Sequence, residues 1–387
     1  DWHGRRRVLV PALALNILAG VVFMLWPELP GLVAGRILSG IGIGAVTATA
    51  TAWLAELDSA DRTAAGRDRA RIVAVAANLG GLGLGGLIAG AIAQWVGQPL
   101  MMPFLVLVAA LAVAVFGILG APETRVAHSP RPRYHPQRVA VPGHARRRFF
   151  AAGIGAAIAF ALFGLVTSLA PSFVAGTLHE RSHALAGAVS FAMFAAAALA
   201  QTLTPLQGTR QQLAAAIPAL LVGIGLMTLA VWLASPSFAM FLAGDLVAGA
   251  GAGLMFKGAI RTTSEISAPE HRAEALAGLY LAAYLGLAGP VIGLGALTQV
   301  ASTRVSLLAF SAALVLGILS AAPTLLGRGD SATARHPSLD HRSVTDADGN
   351  PQHRTAGPDR PGDHARRVRR LGAWRRGLGV RVGSSGR

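Results

Sequence analysis

An all-α polytopic membrane protein with about ten transmembrane helices is the fold class this sequence predicts, and three observations predict it. The chain is 53% hydrophobic and only 13% charged. Its apolar residues come in blocks of about 20, the length a helix needs to cross a hydrocarbon core. Arginines collect in every second connection between blocks, the bias that marks one side of a membrane.

Taken in order, the spans are expected at 8–26, 31–55, 72–96, 100–120, 149–176, 184–205, 213–234, 238–260, 274–299 and 303–326. Turn-like segments such as Trp26-Pro27-Glu28-Leu29-Pro30 and Ser235-Pro236-Ser237 separate them. Arg5, Arg6 and Arg7 precede the first span, and Arg62, Arg67, Arg69 and Arg71 follow the second. Arg125 to Arg148 follow the fourth, Arg210 the sixth, and Arg261 and Arg272 the eighth. Only Arg181 and Arg304 fall in the intervening connections. An even number of spans follows, with both ends of the chain on the cytoplasmic side.

Composition narrows the chemistry. The net charge of +16 is almost wholly arginine, and Lys257 is the only lysine. In a soluble chain that balance would suggest nucleic acid; placed between apolar blocks it sets topology, and no nucleic-acid partner is expected. There is no cysteine, hence no disulfide, thiolate metal site or cysteine nucleophile. Every histidine lies in a connection or the tail, and no cofactor is expected. The lone lysine is not part of a phosphate-binding G-x-x-x-x-G-K-[ST] loop, which argues against an ATP-driven pump. No paired carboxylates occur within a span, which argues against an enzyme.

An internal repeat sets the architecture. Ala34-Gly35-Arg36-Ile37-Leu38-Ser39-Gly40-Ile41-Gly42-Ile43-Gly44 aligns with Ala243-Gly244-Asp245-Leu246-Val247-Ala248-Gly249-Ala250-Gly251-Ala252-Gly253. The offset is 245 − 36 = 209, and it also carries Glu56 onto Glu265, Gly80 onto Gly289 and Gly86 onto Gly295. Matches at one offset across two helices and a loop indicate a duplicated unit. Spans one to four then match spans seven to ten, and spans five and six have no counterparts. The expectation is a twelve-helix parent whose first two helices precede Asp1.

Several segments carry a family resemblance. Asp1-Trp2-His3-Gly4-Arg5-Arg6 resembles the end of the signature loop of the major facilitator superfamily, with Trp2 in place of a basic residue. Leu32-x-x-x-Arg36-x-x-Ser39-Gly40-x-Gly42-x-Gly44-Ala45 is similar to its fourth-helix motif, and Ala121-Pro122-Glu123-Thr124 to the segment closing its sixth helix. Gly81-Leu82-Gly83-Leu84-Gly85-Gly86 resembles the Gly-Pro-x-x-Gly-Gly run of drug/proton antiporters, with Leu82 where proline stands. Gly289-Pro290 supplies that dipeptide in the second half. The resemblance covers about residues 1–326. It implies a fold of two pseudo-symmetric bundles: 1–120 as an incomplete N-terminal bundle, equivalent to helices 3–6, and 149–326 as a C-terminal bundle of six. A cytoplasmic linker at 121–148 and a disordered basic tail at 327–387 complete the expected organisation.

Glycines four apart let helix backbones touch in a bilayer and, where smooth, let helices rock. Gly31/Gly35, Gly40/Gly44, Gly81/Gly85, Gly249/Gly253 and Gly289/Gly293 have that spacing. Charges inside spans are few, since each costs roughly 2.5–3.5 kcal/mol or more at mid-bilayer. Arg36 and Asp245 stand at equivalent positions of the repeat. The resemblance implies that their helices line a central cavity, where the two could form a charge pair or proton relay. Snorkelling is the alternative for Arg36. Lys257, Glu56 and Glu265 fall near cytoplasmic ends, where structural roles suffice. Asn78, Tyr280 and Tyr284 are weaker candidates for a substrate cavity, with core packing the alternative for the tyrosines.

The expected function is secondary transport of a small molecule by alternating access, with proton-coupled efflux favoured by a cavity poor in charge. Uptake of a sugar or organic acid, and a non-transporting remnant or sensor of the same fold, are the alternatives. The expected setting is the plasma membrane, as a multi-pass monomer whose partners are the lipid bilayer, the substrate and a coupling proton.

Overall fold

The computed structural model describes residues 4–59, 73, 76–121, 143–176, 182–204, 208–268 and 271–327. Asp1 of the signature loop, 122–142 of the expected linker and the tail from 328 onward lie outside the described residues.

Ten α-helices run along these residues: α1 (Arg5–Leu25), α2 (Leu29–Ser59), α3 (Gly81–Trp95), α4 (Met102–Gly120), α5 (Arg146–Gly176), α6 (His183–Leu203), α7 (Thr209–Trp232), α8 (Phe238–Ile266), α9 (Arg272–Leu297) and α10 (Thr303–Leu326). No strand occurs among the described residues. That follows from the solvent, because a helix satisfies its own backbone polar groups where water is absent. Nine of the ten are long and apolar enough to cross a membrane. The exception is α3, which continues from a π turn over Ala76–Gly80, so that helical backbone runs through 76–95 of the expected span 72–96.

Local chemistry explains several helix ends. Ser182, Ser237 and Ser302 cap α6, α8 and α10, each side chain accepting from a backbone N–H three residues on. Within α5, Thr167 donates to the Phe163 carbonyl at 2.8 Å and Ser168 to the Gly164 carbonyl at 2.5 Å. Such back-bonds satisfy hydroxyls that hydrocarbon could not. Glu265 of α8 accepts from the Thr209 hydroxyl at 2.6 Å, and Arg210 donates to the Leu326 carbonyl at 3.0 Å. These two bonds tie the start of α7 to the ends of α8 and α10.

Helix pairing reproduces the repeat. α1 lies along α2 and carries α4, just as α7 lies along α8 and carries α10. A Cβ on Gly35 would press on the Phe23 ring at 2.6 Å, and one on its repeat partner Gly244 would meet the Met227 backbone at 2.7 Å. Burial is unequal, however. The membrane segment of α2 is 17% buried against 56% for α8, and that of α4 is 0% buried against 39% for α10. The difference comes from α5 and α6. Both pack on α8, and α5 also packs on α9 and α10, which leaves its own span 78% buried.

Candidate functional site

The first four helices meet the later six through α3 and α6, which cross antiparallel on small residues. A Cβ on Gly83 would lie 3.0 Å from Phe194, and one on Gly90 would lie 2.5 Å from the His183 carbonyl oxygen. Gly187 of α6 answers with equal closeness, 2.5 Å from the Gly86 carbonyl oxygen. At one end of this seam the Gln94 side-chain oxygen Oε1 accepts from the His183 backbone N–H at 2.8 Å. Backbone-to-backbone contact gives van der Waals attraction with no side chains to interlock, a surface on which two elements can shift.

Beside this seam stands a cluster of aromatic rings from four helices. Phe160 of α5 lies 4.9 Å from Phe256 of α8 and 5.8 Å from Tyr284 of α9. Phe256 in turn meets Tyr280 at 5.7 Å, and Phe163 meets Phe194 of α6 at 4.8 Å. The i, i+4 spacing of Tyr280 and Tyr284 does put both on the ring-lined face. The four phenylalanines are buried, Tyr280 is half-buried, and Tyr284 is 38% exposed, so the cluster reaches the surface at Tyr284. The sequence signal for the phenylalanines is slight, since Phe is common in any span. Only the i, i+3 spacing of Phe160 and Phe163 hints at a shared face.

Asp245 is the unusual group. It is wholly buried, and among the described residues neither carboxyl oxygen has a hydrogen-bond partner. Its register explains where it sits. Gly244 beside it faces Gly223 and Met227 of α7, and Gly249 one turn on faces Met193 of α6. Asp245 therefore lies on the buried side of α8, in the seam with α6 and α7, opposite the exposed Ala243 and Leu246. Arg36 is exposed, with its Cζ 5.8 Å from the centre of the Phe23 ring. The direct Arg36–Asp245 pair is not formed in this structure, because the two groups present to different helix neighbours.

Lys257 has a structural role near the end of α6. It is buried, and its Nζ donates to the carbonyls of Gln201 at 2.5 Å and Thr204 at 3.0 Å, at the end of α6. A cation on free carbonyls complements the negative end of a helix. Lys257→Met is expected to destabilise the protein by about 1–3 kcal/mol, because those carbonyls lose a charged donor; thermal unfolding in detergent would measure it.

The remaining candidates divide. Gly249 and Gly253 pack tightly on α6, at Met193 and Ala197. Gly86 makes ordinary contact with Ser190. Gly40, Gly44, Gly81, Gly85 and Gly289 have no atom within 4 Å of a notional Cβ. The packing face of α3 is thus Gly83, Gly86 and Gly90 rather than Gly81 and Gly85, because α6 approaches from that side. Pro290 is half-buried inside α9. Arg5 is buried, while Gly4 and Arg6 are half-buried. Asn78 belongs to the π turn, and its side chain lies outside the described residues.

Nine membrane-length helices among the described residues, two sets of them meeting on glycine with a carboxyl held inside one, define a polytopic membrane protein. The sequence profile of the Major Facilitator Superfamily matches residues 1–222, and the chain belongs to that family. Among solved structures, the human organic anion transporter MFSD10 (TETRAN) is similar, with a TM-score of 0.58 and 17% identity. That match covers 82% of this chain and 77% of the other. A mutant of the nucleoside transporter NupG is similar with a TM-score of 0.59 and 14% identity, over 84% of each chain. No curated protein sequence matches the chain.

Proposed function

We propose that this membrane transporter is a proton-coupled exporter of small amphipathic molecules, working by alternating access as a monomer in the plasma membrane with both chain ends cytoplasmic. Asp245 carries the reading. A membrane-buried ionisable residue is costly and marks a functional path more often than a packing role. Its charged and neutral forms demand different surroundings, the condition for linking a proton to a change of conformation. Arg36 is proposed as the second charge of the relay, meeting a carboxyl partner in another conformational state.

Support for an amphipathic substrate comes from the aromatic cluster at Phe160, Phe256, Tyr280 and Tyr284, whose ring faces and edges suit apolar and planar groups. The alternating arginines support the orientation. The test is export of ethidium from cells producing the protein, followed by fluorescence, with and without a protonophore. Export that stops when the proton gradient is collapsed is the expected result. Export unaffected by the protonophore would refute proton coupling. Saturable uptake of a sugar or organic acid with no ethidium export would favour the permease alternative, and no transport of either would favour a remnant or sensor.

A further inference from the structure

The seam between α7 and α8 changes character along its length. Near the turn that joins the two helices, backbone meets backbone, with Gly223 against Ala248 and Gly244 against Met227. Further from the turn, Gly251 faces Leu220 and Gly258 faces Leu213, which fixes the register of this antiparallel pair. The last contact is polar, where the Thr209 hydroxyl donates to Glu265 at 2.6 Å.

Between the Leu213–Gly258 and Thr209–Glu265 contacts, the register sets Gln212 of α7 level with Thr262 and Thr263 of α8. Helix periodicity gives their faces. Gln212 falls on the stripe of Ala219 and Gly223, both of which lie against α8. Thr262 falls on the stripe of Gly244 and Gly251, both of which lie against α7. Thr263 adjoins it on the face that carries Asp245, 263 − 245 = 18 residues away. Five helical turns, about 27 Å, separate those two levels.

All three side chains are sealed from solvent, with exposures of 1% for Gln212, 3% for Thr262 and 0% for Thr263. Among the described residues, neither the nitrogen nor the oxygen of the Gln212 amide has a hydrogen-bond partner, nor has the Thr263 hydroxyl. Protein interiors rarely leave such groups unbonded, because each has given up its bonds to water. The chemistry of the groups selects what binds them. The amide brings two N–H donors and an acceptor oxygen, and a hydroxyl can donate or accept. A cation would answer only the oxygens, and an anion only the donors. Water answers both, and an internal water makes about three such bonds.

We propose that Gln212, Thr262 and Thr263 form an internal hydration site that holds ordered water between α7 and α8. The Thr209–Glu265 bond is the next contact toward the helix ends, on the solvent side of the site. Water can exchange partners as helices shift, so this end of the seam keeps its polar groups bonded when the spacing changes. The repeat carries a related feature: Trp53, at 262 − 209 = 53, is also buried with its indole nitrogen lacking a partner among the described residues. The inference is independent of the proposed transport reaction.

Helix α7 supplies the control for a test. Leu213 adjoins Gln212, and Leu220 lies about two turns further along the same seam; they are 1% and 0% exposed. Hydroxyl radicals generated from water by an X-ray pulse modify the side chains that water touches, and mass spectrometry of the full chain in detergent reads each leucine. Leu213 is expected to be modified several-fold more than Leu220. Gln212→Leu should bring Leu213 down to the level of Leu220, and Thr263→Val serves if that variant does not accumulate. Equal, low modification of the two leucines in the unaltered protein would show a dry seam and overturn the inference. Modification of Leu213 undiminished in the variants would show that bulk water enters from the helix ends, and would also overturn it.

Discussion

Asp245→Asn is expected to abolish transport that depends on a pH gradient while leaving the fold intact. Asparagine has almost the shape of aspartate, so the tight contacts of Gly244 with α7 and of Gly249 with α6, on either side of it along α8, are undisturbed. It cannot carry a proton on and off, however. With both carboxyl oxygens of Asp245 lacking partners, the protein gains no hydrogen bond from the acid that asparagine would lose. A fall in gradient-driven transport of about tenfold or more corresponds to roughly 1.4 kcal/mol in the rate-limiting barrier. Thermal stability should hold or rise, since a carboxylate at mid-bilayer costs more than an amide. Proton-driven export retained in full by Asp245→Asn would leave Asp245 as a tolerated core residue, and the relay would have to be sought elsewhere.

Gly223→Leu should be a severely damaging packing change. Gly223 of α7 lies against the Ala248 backbone of α8, where a Cβ would already fall 2.6 Å from the Ala248 Cα. Overpacking a core commonly costs about 1–3 kcal/mol even where side chains can yield. Here the obstacle is backbone, so relief requires moving α7 away from α8 and disturbing the seam that holds Asp245. The expected outcome is loss of folded protein in detergent, read as yield of monodisperse material. Gly223→Ala, with one methyl, should still fold with a lowered unfolding midpoint. Normal yield and midpoint for Gly223→Leu would mean that the α7–α8 contact is looser than the structure describes.

Much of the fold was legible before any coordinates. The spans at 8–26, 100–120, 213–234 and 303–326 fall within a few residues of α1, α4, α7 and α10. Bilayer thickness imposes a length that composition alone reveals. Within the expected span 72–96 the one feature hydropathy does not report is the π turn that leads into α3. Among site residues, Asp245 was legible as a rare charge in a span, and Tyr280 with Tyr284 as a shared face. Lys257 was legible as a structural residue near a helix end, but neither its burial nor the Gln201 and Thr204 carbonyls that receive it could be read from its distance to a loop.

Which face of each helix turns inward is the question the sequence left open, and lipid is the reason. In water an amphipathic helix declares its buried side, because polar residues take the other. In a bilayer the outward face is as apolar as the inward one, so Gly81 and Gly83 look alike in the sequence although only Gly83 meets α6. The sequence by itself determined the class, the number and order of spans, their alternating orientation signals and the duplicated unit, all properties of one helix or of spacing along the chain. Tertiary structure alone decided that Asp245 lies inside the α6–α7–α8 seam and not against Arg36. It also decided that α5 is the central buried helix and that Gly40 and Gly44 stand open while Gly249 and Gly253 are filled. Those outcomes depend on which backbone arrives from elsewhere in the chain, and no local pattern records its arrival.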